Sequence, residues 1–402
     1  MNKINKNWKE VKLGDIVDIT MGQSPKSQFY NKINKGMPFL QGSSTFGHLY
    51  PSFEIYSSDI KKIAVNGSIL MSVRAPVGDL NMANTDICIG RGLCSINGKN
   101  KSLNRYIFYL LNYYKSKIVN IQTGTVFGAI SKDNILNFKV SIPQSEKEQK
   151  YIASILSSFD DKIELNNKTN KILEEMAQTI FKEWFINFNF PNEDGKPYKK
   201  SGGEMIDSEL GKIPKGCKVI TLKDIISIAK GKKPNATSDK ITEKFTMPYL
   251  TINCYNNEAT EYTEYNEKMH VKELDIIMVM DGNAGKIFYG KEGILSSTMA
   301  KLIVEDSNLN ELVFYFLKSI EYDLMYHTVG SVIQHADKQY MLNKKFCISL
   351  DNLERLSDIF KCIRKEISLN KKENEKLSNI RDSLLPKLMT PKGRRADGEI
   401  RV

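Results

Sequence analysis

The sequence has 402 residues, of which 41% are hydrophobic and 26% are charged, and its formal net charge is +11. This length is enough for two or three domains that each bury a core of their own. No apolar stretch follows the basic start of the chain, and no apolar run is long enough to span a bilayer. We therefore expect a cytoplasmic protein with no membrane partner.

The distribution of charge is more informative than its total. Residues 1–145 carry 18 basic and 8 acidic side chains, and residues 352–402 carry 13 and 8, whereas residues 146–215 and 216–351 each have a net charge of −2. Concentrated positive charge suggests an anionic partner. A purely solubilising role for the lysines is an equally open interpretation.

The first part of the chain is echoed later in the sequence. The segment that begins at Trp8 matches the one that begins at Cys217, Met37-Pro38-Phe39-Leu40 matches Met247-Pro248-Tyr249-Leu250, and Gly124-Thr125-Val126 matches Gly330-Ser331-Val332. The matches keep their order, and their offset stays between 206 and 210, so chance is a poor explanation. The sequence predicts two copies of one structural unit.

The predicted elements follow the same order in each copy. Short β-like runs such as 69–73 or 276–280 come first, then a helix at 103–115 or 309–321, then a last strand near 138–142 or 346–350. These patterns predict an α+β fold with mixed helix and strand. We divide the chain into a globular domain at 1–145, a long helix at 146–190, a linker at 191–216, a second globular domain at 217–351, and a second long helix with a C-terminal tail at 352–402.

Each long helix carries an unbroken seam that steps by four and three residues. The first seam runs from Ile152 to Trp184 and the second from Leu356 to Leu388. Polar residues interrupt the two seams at matching central places, namely Asn166, Asn170, Asn370 and Asn374. A polar residue on such a seam costs stability and fixes register, so we predict that the helices pair as an antiparallel coiled coil. The alternative is two amphipathic helices that pack separately on their own domains.

We find no motif for catalysis in the sequence. The segment Gly282-Asn283-Ala284-Gly285-Lys286 lacks P-loop spacing, and the dinucleotide-binding, zinc-protease and nucleophile-elbow motifs are missing. The Asn/Asp-Pro-Pro-aromatic turn of amino-methyltransferases is missing as well. We interpret the loop carboxylates Asp79 and Asp281 as solvated turn residues, and we expect a non-catalytic protein with no metal or cofactor of its own.

Together these features resemble the specificity subunit of type I restriction-modification systems. The resemblance rests on the opening Trp8-Lys9 and Leu13-Gly14-Asp15-Ile16, on the segment from Gln144 to Phe188, and on the joint Asp207-Ser208-Glu209-Leu210-Gly211-Lys212-Ile213-Pro214-Lys215-Gly216. The joint usually runs into a Trp, and Cys217 stands in its place. We expect this departure to weaken local packing more than it alters function.

The resemblance implies that each globule is a target-recognition domain that reads one half of a bipartite, asymmetric site in double-stranded DNA. The coiled coil would set the spacer and bind two methyltransferase subunits, which use S-adenosylmethionine to methylate adenine N6. Restriction/translocase subunits would use ATP and Mg²⁺, so every cofactor would belong to a partner subunit. Lengthening a helix by four residues should then change the spacer and leave each half-site unchanged.

Base contacts need donors and acceptors on loops, and phosphate contacts need Lys, Arg or backbone N–H groups. In the first domain we predict DNA contacts from Gln23, Ser24, Lys26, Ser27, Gln41, Ser43, Ser44, Arg74, Arg91, Thr123 and Thr125. The repeat maps these in the second domain to Lys232, Lys233, Asn235, Thr251, Asn253, Asn283, Ser297, Thr298, Ser331 and Gln334. Any single Ser, Thr or Gly is also explained as a turn residue, so each loop as a set is the stronger prediction.

Three phenylalanines, Phe181, Phe185 and Phe188, lie beyond the paired seam positions. Aromatic rings that a two-helix rod cannot bury commonly mark an interface, so we predict that they bind a partner subunit. Packing against the adjacent domain is the alternative.

Two further functions fit the same sequence. The chain could serve a modification-only, orphan adenine methyltransferase without a nuclease. In a different class, it could be a coiled-coil adaptor whose globules bind peptides. Sequence-specific adenine methylation by the complex with a methyltransferase would argue against the adaptor.

Overall fold

The computed structural model describes residues 7–121, 128–255, 260–330, 334–349 and 353–391. The chain divides into two compact units, one formed by Met1–Thr169 with Leu369–Val402 and the other by Asn170–Ser368. Each unit contains one globular domain together with a part of each long helix.

The first domain has two small sheets and a closing pair of strands. The four-stranded antiparallel sheet has the order Val17–Met21, Leu93–Gly98, Ile69–Ser72, Leu80–Met82. The five-stranded sheet has the order Tyr30–Asn31, Tyr56–Ser57, Met37–Leu40, Ile87–Ile89, Ile63–Ala64, with a parallel pairing of Met37–Leu40 and Ile87–Ile89. The strand Trp8–Lys12 pairs antiparallel with Lys139–Pro143, which ties the beginning of the domain to its end.

The second domain repeats this topology. Its four-stranded antiparallel sheet has the order Ile226–Lys230, Met299–Val304, Ile276–Val279, Ile287–Tyr289. A second sheet has the order Glu261–Thr263, Met247–Leu250, Gly293–Leu295, His270–Val271, and its two central strands are parallel. The closing pair is Cys217–Thr221 with Lys345–Ser349, and two-stranded hairpins lie at Met205–Ser208 with Gly211–Pro214 and at Thr328–Val329 with His335–Ala336. The predicted internal repeat is confirmed.

Helices complete both domains. The first domain has α-helices Leu13–Ile16, Asn104–Val119 and Lys132–Leu136, and the second has Ile252–Tyr255, Asn310–Ser319, Glu321–Tyr326 and Lys338–Leu342. Short 3-10 turns lie at Ser27–Phe29, Lys101–Leu103, Leu222–Asp224, Glu267–Met269 and Ser307–Leu309. The long helices are Glu146–Phe181, which continues into a π-helical turn at Lys182–Ile186, and Leu353–Leu388.

We call Asn104–Val119 and Asn310–Ser319 the two domain helices. Both are apolar on several sides: the first buries Tyr106, Leu110 and Ile118, for example, and the second buries residues 311 to 317 without a break. A short helix that is apolar nearly all round must lie inside a core. Each domain helix therefore forms the centre of its unit, between the sheet and the long helices.

In the first unit the two long helices run antiparallel. Asn166 donates from Nδ2 to Asn374 Oδ1 at 2.8 Å, and Asp160 receives Arg381 Nη1 at 2.5 Å, so increasing residue number on one helix meets decreasing number on the other. Asn374 in turn donates to Asn167 Oδ1 at 2.9 Å. The predicted pairing is confirmed, and separate packing of the two helices is excluded.

The seam of each long helix also belongs to a domain core. In the first unit Ile152, Leu156 and Leu388 are fully buried in one cluster with the first domain helix. In the second unit Ala177, Phe360 and Ile367 are buried in the cluster that contains the second domain helix. Each domain therefore lacks part of its core without both helices.

All six cysteines lie in the described part of the chain and are free thiols, of which Cys362 is exposed and the other five are buried. In the described part of the chain, no helix combines the length and the apolarity needed to cross a bilayer.

An ionic cluster lies inside the first unit. The buried carboxylate of Asp160 accepts hydrogen bonds from Tyr109 Oη at 2.5 Å, His48 Nε2 at 2.9 Å and Arg381 Nη1 at 2.5 Å. Burial by itself would raise the pKa of Asp160, but the hydrogen bonds from His48 and Tyr109 and the charge of Arg381 outweigh it, and the pKa lies below its usual 3.8. The carboxylate thus joins the first domain to both long helices.

This cluster predicts an acid-sensitive stability. A carboxyl with a lowered folded-state pKa stabilises the fold above its unfolded-state pKa, and that stabilisation is lost as the pH falls through the folded value. We expect Asp160→Asn to lower the free energy of unfolding at pH 7 by roughly 3 kcal/mol, since Arg381 loses its counter-charge. We also expect the variant to lose less stability than the parent when the pH is lowered from about 4. Urea unfolding at several pH values measures both effects.

The exposed residue Asp18 provides the matched control. Asp18→Asn should change the free energy of unfolding by less than about 0.5 kcal/mol. Equal acid sensitivity of the Asp160→Asn variant and the parent would contradict the assignment.

Candidate nucleic-acid interface

Four loops of the first domain are hydrogen-bonded to one another. Ser24 Oγ donates to Gln41 Oε1 at 2.8 Å, and the backbone N–H of Arg91 donates to Ser24 Oγ at 3.1 Å. The fourth loop joins through Val73, whose N–H donates to the carbonyl of Gly92 at 2.8 Å. We call Gln23, Ser24, Gln41, Arg74 and Arg91 the first loop cluster.

The close approach of these loops depends on glycine. A Cβ atom at Gly22 would lie 2.1 Å from the carbonyl oxygen of Gly90, and one at Gly90 would lie 2.6 Å from Gln41 Oε1. Two backbones can approach this closely only where side chains are missing. The glycines therefore bring Gln23, Gln41 and Arg91, all with exposed side chains, onto one surface.

Arg74 is exposed and forms a β-bridge with Ala129. The N–H of Ile130 donates to the carbonyl of Val73 at 3.1 Å, so the chain that follows residues 122–127 reaches the first loop cluster. The predicted contacts Thr123 and Thr125 lie in that segment, outside the described residues.

Ser43 is connected to the same loops through Asp79. Ser43 Oγ donates to Asp79 Oδ2 at 3.2 Å, and Lys115 Nζ lies 2.9 Å from Asp79 Oδ1. The interpretation of Asp79 as a solvated turn carboxylate is corrected, because the residue anchors two side chains and is itself half-buried.

The second domain builds an equivalent surface. The N–H of Gly231 donates to Met299 O at 3.0 Å, and a Cβ atom at Gly231 would lie 2.1 Å from the carbonyl oxygen of Ser296. The N–H of Ser296 donates to Leu250 O at 3.3 Å, which brings in the loop that begins at Thr251. We call Lys232, Thr251, Asp281, Ser297 and Thr298 the second loop cluster.

The structure aligns Arg74 with Asp281, whereas the sequence mapping had aligned it with Asn283. The bridge of Arg74 with Ala129 is matched by the bridge of Asp281 with His335. A charge of opposite sign therefore occupies this position in the two domains. Asn283 is exposed two residues further along the same loop.

Sequence reasoning missed Asp281 as a site residue. Its carboxylate lies 2.7 Å from His335 Nδ1 and 3.6 Å from Lys230 Nζ. The expectation that Asp281 is a solvated turn residue is therefore wrong. The N–H of the adjacent Gly282 donates to the carbonyl of Gln334 at 3.1 Å, which places Gln334 in the same group of loops. A repeat alignment with an offset of 207 would have found this position.

The remaining predicted contacts lie on or next to these loops. Lys26, Ser27, Ser44, Lys233, Asn235 and Asn253 are all exposed. Ser331 lies outside the described residues. The assignment of single residues to DNA stays a prediction.

The structure buries two of the three phenylalanines. Phe181 and Phe185 are 1% and 7% exposed and stack on each other inside the core of the second unit, with ring centroids 5.1 Å apart. Phe188 is half-buried against Ile213 and Cys217. The predicted partner contact is wrong for Phe181 and Phe185, because the adjacent domain covers both rings, and the packing alternative holds.

Comparison with known proteins identifies a family with this architecture. The family model described as "Type I restriction modification DNA specificity domain" matches the chain twice, at residues 5–175 and 214–379. The chain belongs to this family. Its two matched segments each cover one globular domain and most of the long helix that follows it.

Relatives within the family agree with this result. The type I restriction enzyme MjaIX specificity subunit of Methanocaldococcus jannaschii is 26% identical over an alignment of 437 positions, which covers 100% of this chain and 95% of the relative. The putative MjaX specificity subunit of the same organism is 43% identical over 183 residues, which are 45% of this chain and 43% of that relative. The crystal structure of a type I system S subunit from M. genitalium has the same fold, with a TM-score of 0.58, 16% identity, and coverage of 97% of this chain and 98% of that one.

The close packing of the loops yields a prediction about Gly22. Gly22→Ala should move the loop away from Gly90 and lower the free energy of unfolding by about 1–3 kcal/mol, because the new methyl group meets a backbone carbonyl. Gly42→Ala, in a neighbouring loop with no atom within 4 Å of its Cβ position, is the control and should leave stability unchanged. Thermal unfolding of the full chain measures both. Equal stability of the two variants would contradict the described approach.

Proposed function

We propose that each domain of this family member reads one half of a bipartite, asymmetric site in double-stranded DNA, and that the two loop clusters carry the contacts. One observation carries the proposal: both domains hold the same loops together by the same backbone hydrogen bonds, yet present different side chains. Arg74 faces outward where the second domain has Asp281, and Arg91 occupies the place of Ser297. A constant frame with variable donors and acceptors suits the reading of two different half-sites.

The side chains of the two loop clusters suit hydrogen bonds to different bases. Arginine pairs in a bidentate manner with guanine, glutamine with adenine, and an aspartate accepts from the cytosine amino group. The first domain also carries most of the excess positive charge, which attracts phosphates without regard to sequence. In the second domain, exposed Lys232 and Lys233 supply positive charge beside the second loop cluster.

We further propose that the long helices set the spacer and bind two methyltransferase subunits in the cytoplasm. Each helix is continuous for 36 residues, or about 54 Å at ~1.5 Å per residue. The methyltransferases would supply S-adenosylmethionine for adenine N6 methylation, and restriction/translocase subunits would supply ATP and Mg²⁺. The chain itself would act as the recognition subunit of this methyltransferase and endonuclease complex.

Base reading predicts effects that are confined to one half-site. In the complex with its methyltransferase, Arg91→Ala should weaken DNA binding by about 5- to 150-fold, equivalent to 1–3 kcal/mol, and relax one half-site only. Ser297→Ala should relax the other half-site. Genome-wide mapping of N6-methyladenine, with binding measured on the mapped site, tests both variants. Lys9→Ala, which removes an exposed lysine from the closing strand pair, is the control and should leave both half-sites unchanged.

Unchanged methylation patterns in both variants would contradict the assignment of these loops. A complex that methylates its sites in the cell but contains no restriction subunit and has no ATP-dependent nuclease activity would support the modification-only assembly. A complex that binds every DNA sequence equally would support the adaptor.

Spacer control predicts a change in gap length. Insertion of seven residues after Lys168 and after Lys372, which are equivalent positions in the repeat, preserves the heptad phase of both seams. Each helix lengthens by about 10 Å, so the methylated half-sites should lie roughly 3 base pairs further apart with their sequences unchanged. Methylation mapping measures the gap, and an unaltered gap in a folded, active complex would refute spacer control.

A further inference from the structure

The second residue of each domain helix is charged and lies close to charged residues of a long helix. In the first unit this residue is Arg105, whose Nη2 donates to Asp161 Oδ1 at 2.8 Å and to Tyr50 Oη at 3.0 Å. Asp160, the neighbour of Asp161 on the first long helix, is buried and accepts from Tyr109 of the same domain helix. The first domain thus presents a cation to Asp161, whereas Asp160 is paired with Tyr109, His48 and Arg381.

The second unit has the opposite arrangement. Glu311 of its domain helix is 4% exposed and accepts a hydrogen bond from Tyr289 Oη. Arg364 of the second long helix is 6% exposed and covers the same tyrosine, with its guanidinium carbon 3.6 Å from the ring centroid. Burial raises the pKa of Glu311, and the charge of Glu174 on the first long helix adds to the rise, while Tyr289 and Arg364 counteract it. The second domain thus presents an acid that shares Tyr289 with a cation of the long helix.

These residues occupy equivalent positions in the repeat. The domain helices align Arg105 with Glu311 and Tyr109 with Tyr315, both at an offset of 206. The long-helix seams align Asp160-Asp161 with Arg364-Lys365 at an offset of 204. The sign of the charge is therefore reversed on both sides of the contact, and the apolar packing around it is of the same kind in the two units.

We infer that this reversal matches each recognition domain to its own long helix. A first domain on the second helix would bring Arg105 against Arg364 and Lys365, and a second domain on the first helix would bring Glu311 against Asp160 and Asp161. Glu311 and Arg364 are buried, so a like charge beside either of them is strongly destabilising, whereas Arg105 is half-buried and Asp161 is exposed, so repulsion there costs less. Such repulsion is how related interfaces exclude wrong pairings. The charge matching within each unit is argued from the observed geometry alone. Its consequence, a fixed order of the two half-sites, rests on the proposed function.

The decisive test combines two domain orders with two charge arrangements in the full chain. One chain keeps the native order, and a second exchanges residues 8–143 with 217–349. Each is made with and without the pair of substitutions Arg105→Glu and Glu311→Arg, which leaves the net charge unchanged. We expect the pair to lower the Tm of the native-order chain by roughly 5–10 °C and to raise the Tm of the exchanged chain.

A matched control uses two exposed charges at equivalent helix positions, Lys171 and Glu375. The pair Lys171→Glu with Glu375→Lys should shift the Tm by less than about 1 °C in either order, since exposed charges contribute little. A shift of the same sign in both domain orders for Arg105→Glu with Glu311→Arg would overturn the inference.

A second measurement applies if the exchanged chain does not fold. In the native order, Arg105→Glu and Asp161→Lys are made singly and together. Both single variants should have a lower Tm, and the double variant should recover part of the loss. If the loss in the double variant equals or exceeds the sum of the single losses, the contact is not a charge match and the inference fails. Neither measurement uses DNA, so a failure of the proposed function, seen in binding and methylation, stays distinguishable.

Discussion

The apolar contact between each globular domain and the long helices is the interaction on which the rest of the structure depends. Ile152, Leu156 and Leu388 are fully buried in the core of the first unit, and Ala177, Phe360 and Ile367 are buried in that of the second. Because burial of such side chains is the main source of folding free energy, each domain needs both helices to complete its core. The helices are therefore part of each domain rather than a separate linker.

A stable core leaves the loops free to vary. In both units glycines at the strand ends allow backbones to approach closely, as at Gly22 with Gly90 and at Gly231 with Ser296. Besides the side-chain bonds of Ser24, backbone hydrogen bonds that do not depend on side-chain identity hold the loops in both units. Arg91 and Ser297 can differ without cost to this frame. Such a division of roles is what a protein needs if two similar domains are to recognise different targets.

Much of the architecture was predictable because it depends on periodicity and order. The repeat, the domain helices, the last strands and the antiparallel helix pair all follow from spacing along the chain, and the structure confirms them. The grouping of the loops followed from the repeat as well. The burial of Phe181 and Phe185 could not be predicted in this way, because whether an aromatic ring is covered depends on which domain packs beside it.

The sequence by itself determined that the chain is a duplicated α+β unit with paired helices, because hydrophobic period and internal similarity are properties of the residue order. Only the tertiary structure decided which charges meet. It placed Asp281 at the position equivalent to Arg74 in the repeat, and it brought Asp160 to Arg381 and Arg105 to Asp161. It also placed Arg364 over the tyrosine that donates to Glu311. The physical reason is that these contacts join side chains far apart in sequence. Their distances depend on the packing of whole elements, which no local pattern encodes.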